Sequence, residues 1–259
     1  MGLFDMFKKK TCSICGGEIG LFGNRKLEDG NMCKECAEKL SPWFSDRRNS
    51  TIEEINGQLE YREENKKEVA AFHVTRTIGE EMKVLLDEDA QKFMVTDAND
   101  IMEANPDVLS FAQVTGCNLD IEEDASEEMT EDKDGNSVSF NPPRYTYHYQ
   151  ISIKLHVNHQ YFDEMEFYVN PSSIDTTPNG AVPALRKPNP KFNHEYKKYE
   201  AMAQEIVEVF EEARKQRRKN AEAETVPKKS VICPSCGATT TPDAAGRCEY
   251  CGGAIDDGK

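Results

Sequence analysis

Four Cys-x-x-Cys pairs constrain this chain more than any other feature of its sequence. Cys12-Ser13-Ile14-Cys15 is answered by Cys33-Lys34-Glu35-Cys36 after 17 intervening residues. Near the other end Cys233-Pro234-Ser235-Cys236 is answered by Cys248-Glu249-Tyr250-Cys251, with 11 residues between. Each quartet brings four thiolates within reach of one tetrahedral zinc ion. The competing reading of such a pair is a redox or catalytic dithiol. Tandem pairs favour closed structural sites, and Gly16-Gly17, Gly237 and Gly252-Gly253 follow three of them directly. Glycine there lets the backbone turn its amides toward sulfur with no Cβ in the way. All eight cysteines are therefore candidate metal ligands, and two structural Zn2+ per chain are expected. A metal held by four protein sulfurs keeps no position for an activated water, so it holds the fold and does no chemistry.

Cys117 is the one cysteine outside the quartets and reads as a small buried residue rather than a nucleophile. Residues 1–10 hold too short an apolar stretch for a secretory signal, and no later window of about 18 apolar residues could span a bilayer. The expectation is a cytoplasmic protein, where paired cysteines mean metal. Leu3, Phe4, Met6 and Phe7, ahead of three lysines, make residues 1–10 a secondary candidate for membrane or partner contact, against the plainer reading of a frayed terminus. A formal net charge of −15 disfavours a general binder of nucleic acid or anionic membrane, because both would be repelled. A local basic patch can overrule that average.

The fold class read from the patterning is α+β. The chain divides into a zinc-knuckle domain over 1–48, a linking helix over 49–74 and an antiparallel β-domain with a capping helix over 75–219. A flexible linker over 220–230 and a second zinc module over 231–259 follow. In the first domain both cysteine pairs read as knuckles around a short hairpin, with turns at Leu21-Phe22-Gly23 and Asp29-Gly30-Asn31 and a helix over 36–40. Ser50 and Glu53 form a capping box for a helix to about Phe72. Its apolar stripe is Ile52, Ile55, Leu59, Val69 and Phe72, and the charged stretch 60–67 is its wet face.

Strands are expected over 82–86 and 92–96, joined at 87–90, and over 108–114 and 117–121. The clearest strand places Tyr147, Tyr149, Ile151, Ile153, Leu155 and Val157 on one face, then turns at 158–160 into 161–169. Residues 120–134 hold nine carboxylates and one lysine, fit no calcium-loop template and read as a solvated mobile loop. After a proline-rich crossing over 178–190, Tyr196, Tyr199, Met202, Ile206, Val207 and Phe210 mark a helix from about His194 to Lys219. It closes on the basic run 214–219, which suits a helix C-terminus. The tail module is too small to bury a core, so metal must supply its stability.

Cys12-x-x-Cys15-Gly16, the Asp29-Gly30 turn, Cys33-x-x-Cys36 and the polar helix after Ser50 resemble an uncharacterised bacterial family, a domain of unknown function built on an N-terminal two-knuckle zinc site. The middle, by its order of antiparallel strands and then one helix, looks like a bacterial pleckstrin-homology-like domain. The tail is similar to a rubredoxin-type zinc ribbon. None of these resemblances implies an activity that can be assigned residue by residue.

Three functions compete. The first is a non-enzymatic adaptor, with zinc modules flanking a β-domain that meets an unidentified protein partner. The sequence holds no phosphate-binding glycine loop, Gly-x-Ser-x-Gly or His-Glu-x-x-His, so no enzyme is expected. The second is a nucleic-acid-associated regulator using the ribbon, Lys228, Lys229 and the run 214–219. Against it, Arg247 stands alone between Ala238 and Lys259, and Asp256 and Asp257 oppose it. The third is a hydrolase with His148, His156 and His159 as ligands. His148 and His156 are about 26 Å apart along a strand, and no third ligand joins His156 and His159, so exposed strand and turn histidines are the better account.

Overall fold

In the computed structural model, which describes residues 10–225, 230–241 and 246–255, the chain divides into two units, Met1–Arg214 and Lys215–Lys259. The contacts considered for residues 1–9, Lys228, Lys229, Asp256 and Asp257 lie outside the described residues. The first unit opens with two hairpins. β1 (Lys10–Thr11) pairs with β2 (Glu18–Ile19), and β3 (Arg25–Lys26) pairs with β4 (Asn31–Met32). Helix α1 (Lys34–Ala37) and a 3₁₀ turn (Asp46–Asn49) follow. Ile19, Leu27, Met32 and Leu40 bury against Ile55 of helix α2 (Ile52–Ala71).

The cap of α2 falls one residue later than expected. Thr51 Oγ1 accepts from the Glu54 amide at 3.3 Å, and the Glu54 carboxylate accepts from the Thr51 amide at 2.7 Å. Ser50 is already engaged, donating to the Asp46 carbonyl at 2.9 Å. The charged stretch 60–67 is also not a uniformly wet face, because helical spacing carries Arg62 and Asn65 onto the buried side with Ile55, Gln58 and Val69. Arg62 Nη1 lies 2.9 Å from Asp107 Oδ1, with side-chain exposures of 8% and 0%. Ser41 and Tyr61 hydroxyls donate to the same carboxylate at 2.8 and 3.1 Å. Asn65 donates to the Pro106 carbonyl at 2.7 Å and accepts from the Val108 amide at 3.0 Å. A buried charge needs such satisfaction, and the seam ties α2 and Ser41 to the β-domain.

In the β-domain β5 (Arg76–Gly79), β6 (Lys83–Asp87), β7 (Lys92–Thr96) and β8 (Leu109–Ser110) form one antiparallel sheet in that order. Helix α3 (Ile101–Ala104) sits between β7 and β8. The strand expected over 108–114 shrinks to β8, because Ser110 caps a 3₁₀ turn at Phe111–Gln113. The strand expected over 117–121 is the inner part of β9 (Val114–Glu131), which pairs along its length with β10 (Ser137–Val157). All six forecast positions from Tyr147 to Val157 are buried.

The acidic stretch is therefore no loop. Glu122 to Glu128 continue β9, exposed on both faces, and the hairpin turns where the Asp132 carboxylate accepts the amides of Asp134 and Asn136 at 2.9 Å each. Backbone pairing to β10 holds a segment whose side chains carry no apolar period. On its other side β10 pairs successively with β13 (Val182–Pro183), β12 (Ile174–Asp175) and β11 (Glu164–Tyr168). The β-domain is thus two open antiparallel sheets.

Helix α4 (His194–Thr225) lays Tyr196, Tyr199, Ala203, Ile206 and Phe210 into the core shared by both sheets. Phe210 meets Phe93 of β7 edge-on at 4.8 Å, and Tyr196 meets Tyr149 of β10 at 5.4 Å. The helix runs past Lys219 to Thr225, into residues expected to be linker. Ala221-Glu222-Ala223-Glu224 favour helix, and the first breaker is Pro227. In the second unit β14 (Val231–Ile232) pairs with β15 (Thr239–Thr240), and Arg247 bridges to Ala254. Among the described residues no helix is long and apolar enough to cross a membrane.

Candidate metal centres

Cys12 and Cys15 lie on a tight turn between β1 and β2. The Gly16 amide donates to the Cys12 carbonyl at 2.9 Å, and the Cys12 amide donates to the Gly17 carbonyl at 2.8 Å. Gly16 sits at φ +73°, a region other residues rarely enter, which accounts for glycine after the pair. Cys33 and Cys36 are not a second such knuckle. Cys33 is the N-cap of α1, its sulfur accepting the Cys36 amide at 3.4 Å, and Cys36 is in the first turn. The Cys33 amide in turn donates to Cys12 Sγ at 3.3 Å.

At the other end both pairs are knuckles. The Gly237 and Gly252 amides donate to the Cys233 and Cys248 carbonyls at 2.9 and 2.8 Å, with φ of +73° and +69°. The return bonds run from the Cys233 amide to Ala238 and from the Cys248 amide to Gly253. The two turns bring their four sulfurs together around one point.

In each quartet the four sulfurs lie within 4.8 Å of one another. Cys15 and Cys33 are 3.8 Å apart, Cys233 and Cys251 3.6 Å, and Cys236 and Cys248 3.7 Å. A tetrahedron with metal–sulfur bonds of about 2.3 Å has edges of about 3.8 Å, whereas a disulfide is about 2.0 Å. All nine cysteines are free. Burial resists ionisation of Cys12, yet the amides of Cys15, Cys33 and Ile14 bring it down to about 6. The Cys236 amide leads in bringing Cys233 down to about 6 as well. Burial and the neighbouring sulfurs push Cys36 far up; against the Gly253 amide, the sulfurs of Cys236 and Cys233 push Cys251 up to about 12. Four sulfurs this close cannot all be charged without a cation among them, a charge that a zinc ion would supply. The donor set fits the metal at both ends, so the chain carries two four-cysteine centres of zinc-binding geometry.

The other candidates do not join these centres. Cys117 is 6% exposed inside β9, and burial pushes its thiol up to about 12. His156 lies 3.3 Å from Asn118 and 3.6 Å from Glu164. His159 is not an exposed turn histidine as expected: its ring packs on Phe162 at 4.2 Å and Tyr61 at 5.0 Å, and burial holds its pKa below the ordinary value. Among the described residues only the two cysteine quartets gather three or more possible ligands. The sequence reading missed the Arg62–Asp107 seam; the Asn105-Pro106-Asp107 turn facing a helix with one isolated arginine was its only trace.

Residues 11–58 match a family model described as Domain of unknown function (DUF4428), spanning the N-terminal centre and the first turns of α2. No curated protein and no solved structure matches the chain. The family likeness thus covers less than a fifth of the 259 residues and carries no activity with it.

Proposed function

We propose that this chain is a non-enzymatic adaptor of a reducing bacterial cytoplasm, clamped by structural zinc at both ends and meeting a protein partner through its middle. One observation carries the reading: every corner of each centre is a cysteine sulfur, all four within 4.8 Å of one another, so bound metal keeps no open position for water. The contact domain is the β-domain, pleckstrin-homology-like in its order of strands then helix, and the tail is a rubredoxin-type ribbon. Its long acidic hairpin supports a contact role. Glu122 to Glu128 are exposed, and Met129 and Val138 add apolar surface at 47% and 36% exposure. An extended acidic edge suits a segment carrying lysine and arginine.

Cross-linking mass spectrometry on the zinc-loaded chain tests this. A partner cross-linked to residues 122–131, and lost when Glu122, Asp124 and Glu128 become lysine, supports it. Affinity for DNA or RNA that falls steeply with salt and disappears in Arg218→Gln/Lys219→Gln replaces it with the nucleic-acid reading. A third tightly held metal per chain in native mass spectrometry overturns the non-enzymatic part.

A further inference from the structure

The N-terminal module carries a patch whose charge opposes that of the chain. Against a net charge of −15, Arg25 and Lys26 of β3 gather with Arg47 and Arg48 of the adjoining 3₁₀ turn. Arg47 Nη1 donates to the Lys26 carbonyl at 2.7 Å, and Arg25 Nη1 donates to the Phe22 carbonyl at 3.3 Å. These acceptors are neutral, and among the described residues none of the four cations forms an ion pair. Burial first, and then the charges of Arg25 and Arg48, hold the Arg47 pKa below its ordinary value.

Beside this cluster the turn between β2 and β3 presents Leu21 and Phe22, 79% and 94% exposed. The Gly23 amide closes the turn on the Gly20 carbonyl at 3.0 Å. Adjacent apolar side chains in water, tied by Arg25 to a group of cations, have the composition of an interfacial anchor. Apolar tips enter the boundary between headgroups and acyl chains, while cations meet lipid phosphates. Two apolar residues fall far short of the core of a standard protein interface, which draws on about 20–30 residues a side. Nucleic acid would use the cations and leave Leu21 in water.

We propose that this face docks the zinc module on an anionic membrane surface, with Leu21 and Phe22 entering the interface and Arg25, Lys26, Arg47 and Arg48 binding lipid phosphates. The local patch overrules the repulsion expected from net charge, since screening confines the field of distant carboxylates to about 8–10 Å. The inference is independent of the adaptor reading.

Co-sedimentation of the full zinc-loaded chain with vesicles of phosphatidylcholine, with and without phosphatidylserine, tests it from about 0.1 M salt upward, where the Debye length is about 10 Å or less. Binding should require phosphatidylserine and weaken as salt is added. Leu21→Ser/Phe22→Ser should lower vesicle affinity about tenfold or more. Lys26→Gln/Arg48→Gln should lower it about twenty- to thirtyfold, about fivefold for each cation. All four side chains are exposed, so zinc content should stay the same in both variants. Leu3→Ser/Phe4→Ser should bind as the parent does. Absence of binding to phosphatidylserine vesicles, binding indifferent to Leu21 and Phe22, or binding lost instead with Leu3 and Phe4, overturns the proposal. So does RNA or DNA binding through Lys26 and Arg48 without vesicle binding.

Discussion

Residues 12–17 and 233–238 share one turn, with Gly16 and Gly237 both at φ +73° and both amides 2.9 Å from the carbonyl of the first cysteine. What faces that turn differs. At the N-terminal centre it is the first turn of α1, and behind the sulfurs lie Ile19, Leu27, Met32, Leu40 and Ile55, all buried. At the C-terminal centre it is another copy of the turn, 248–253. The buried cluster there is Cys233, Cys248 and Ile255, with Val231 packed against it. One centre adds metal to an apolar core that α2 helps to close; in the other, the metal is the core.

Metal removal should expose that difference most strongly. Structural zinc contributes an apparent ~10–16 kcal/mol in small modules, which matches or exceeds the whole stability of an ordinary domain, ~5–15 kcal/mol. On chelation, amide hydrogen exchange should lose all protection over residues 231–255, while α2 and β10 keep theirs and the hairpins at 10–32 lose part. Thiol counting reads the same event chemically. The loaded chain should offer no fast thiol, chelation should release the C-terminal four and then the N-terminal four, and Cys117 should react only under denaturant. Equal loss of protection at both ends would break the contrast.

The second largest effect belongs to the seam that joins the N-terminal module to its neighbour. Asp107→Ala leaves Arg62 buried and unpaired and deprives Ser41 and Tyr61 of their acceptor. A cost of about 3–5 kcal/mol is expected in urea unfolding of the first unit. Burial and the Asp107 carboxylate keep Tyr61 protonated, so it serves as a donor throughout. A variant within 1 kcal/mol or so of the parent would mean that water replaces the seam and that the module is held by apolar contact alone.

Particular residues show how much of this was legible. The cysteine spacing identified both quartets, since few chemistries use four thiols in that order. Period two placed the inner part of β10, residues 147–157, because all six forecast positions turn inward, and it missed residues 137–146, where Val138 is exposed. The outer half of β9 was invisible for the converse reason: with both faces in water it has no period, and its pairing is to β10, which no local pattern reports. Arg62 looked solvated because its partner lies 45 residues away. The α2 cap was ambiguous by construction, since Ser50 and Thr51 are each followed three residues later by glutamate. The unlike second pair did leave a trace, in that Ala37 and not glycine follows Cys36.

The shared turn predicts equal penalties in the two modules. An added Cβ at Gly16 or Gly237 meets nothing within 4 Å, so only the left-handed backbone resists it. Gly16→Ala and Gly237→Ala should each cost about 1–2 kcal/mol, or roughly tenfold in competition against a zinc chelator. Asparagine at either position should cost less than alanine. A penalty at one site alone would show that the turns are alike in outline and not in strain.

The smallest effect separates the centres by what stands behind them. Thr51 caps the helix that supplies Ile52, Ile55 and Leu59 to the N-terminal core. Thr51→Ala removes the acceptor of the Glu54 amide and one half of the capping box, at a cost of about 1 kcal/mol. If apolar packing shares the N-terminal load with zinc, loosening α2 should weaken metal retention there by up to about fivefold. Zinc at Cys233, Cys236, Cys248 and Cys251 should be unaffected. Native mass spectrometry under a graded chelator resolves the two losses, because the variant's two-zinc to one-zinc step would then report either centre against its own Cys→Ser control. Retention unchanged at the N-terminal centre would mean that its sulfurs, like those of the tail, hold the metal without help from the helix.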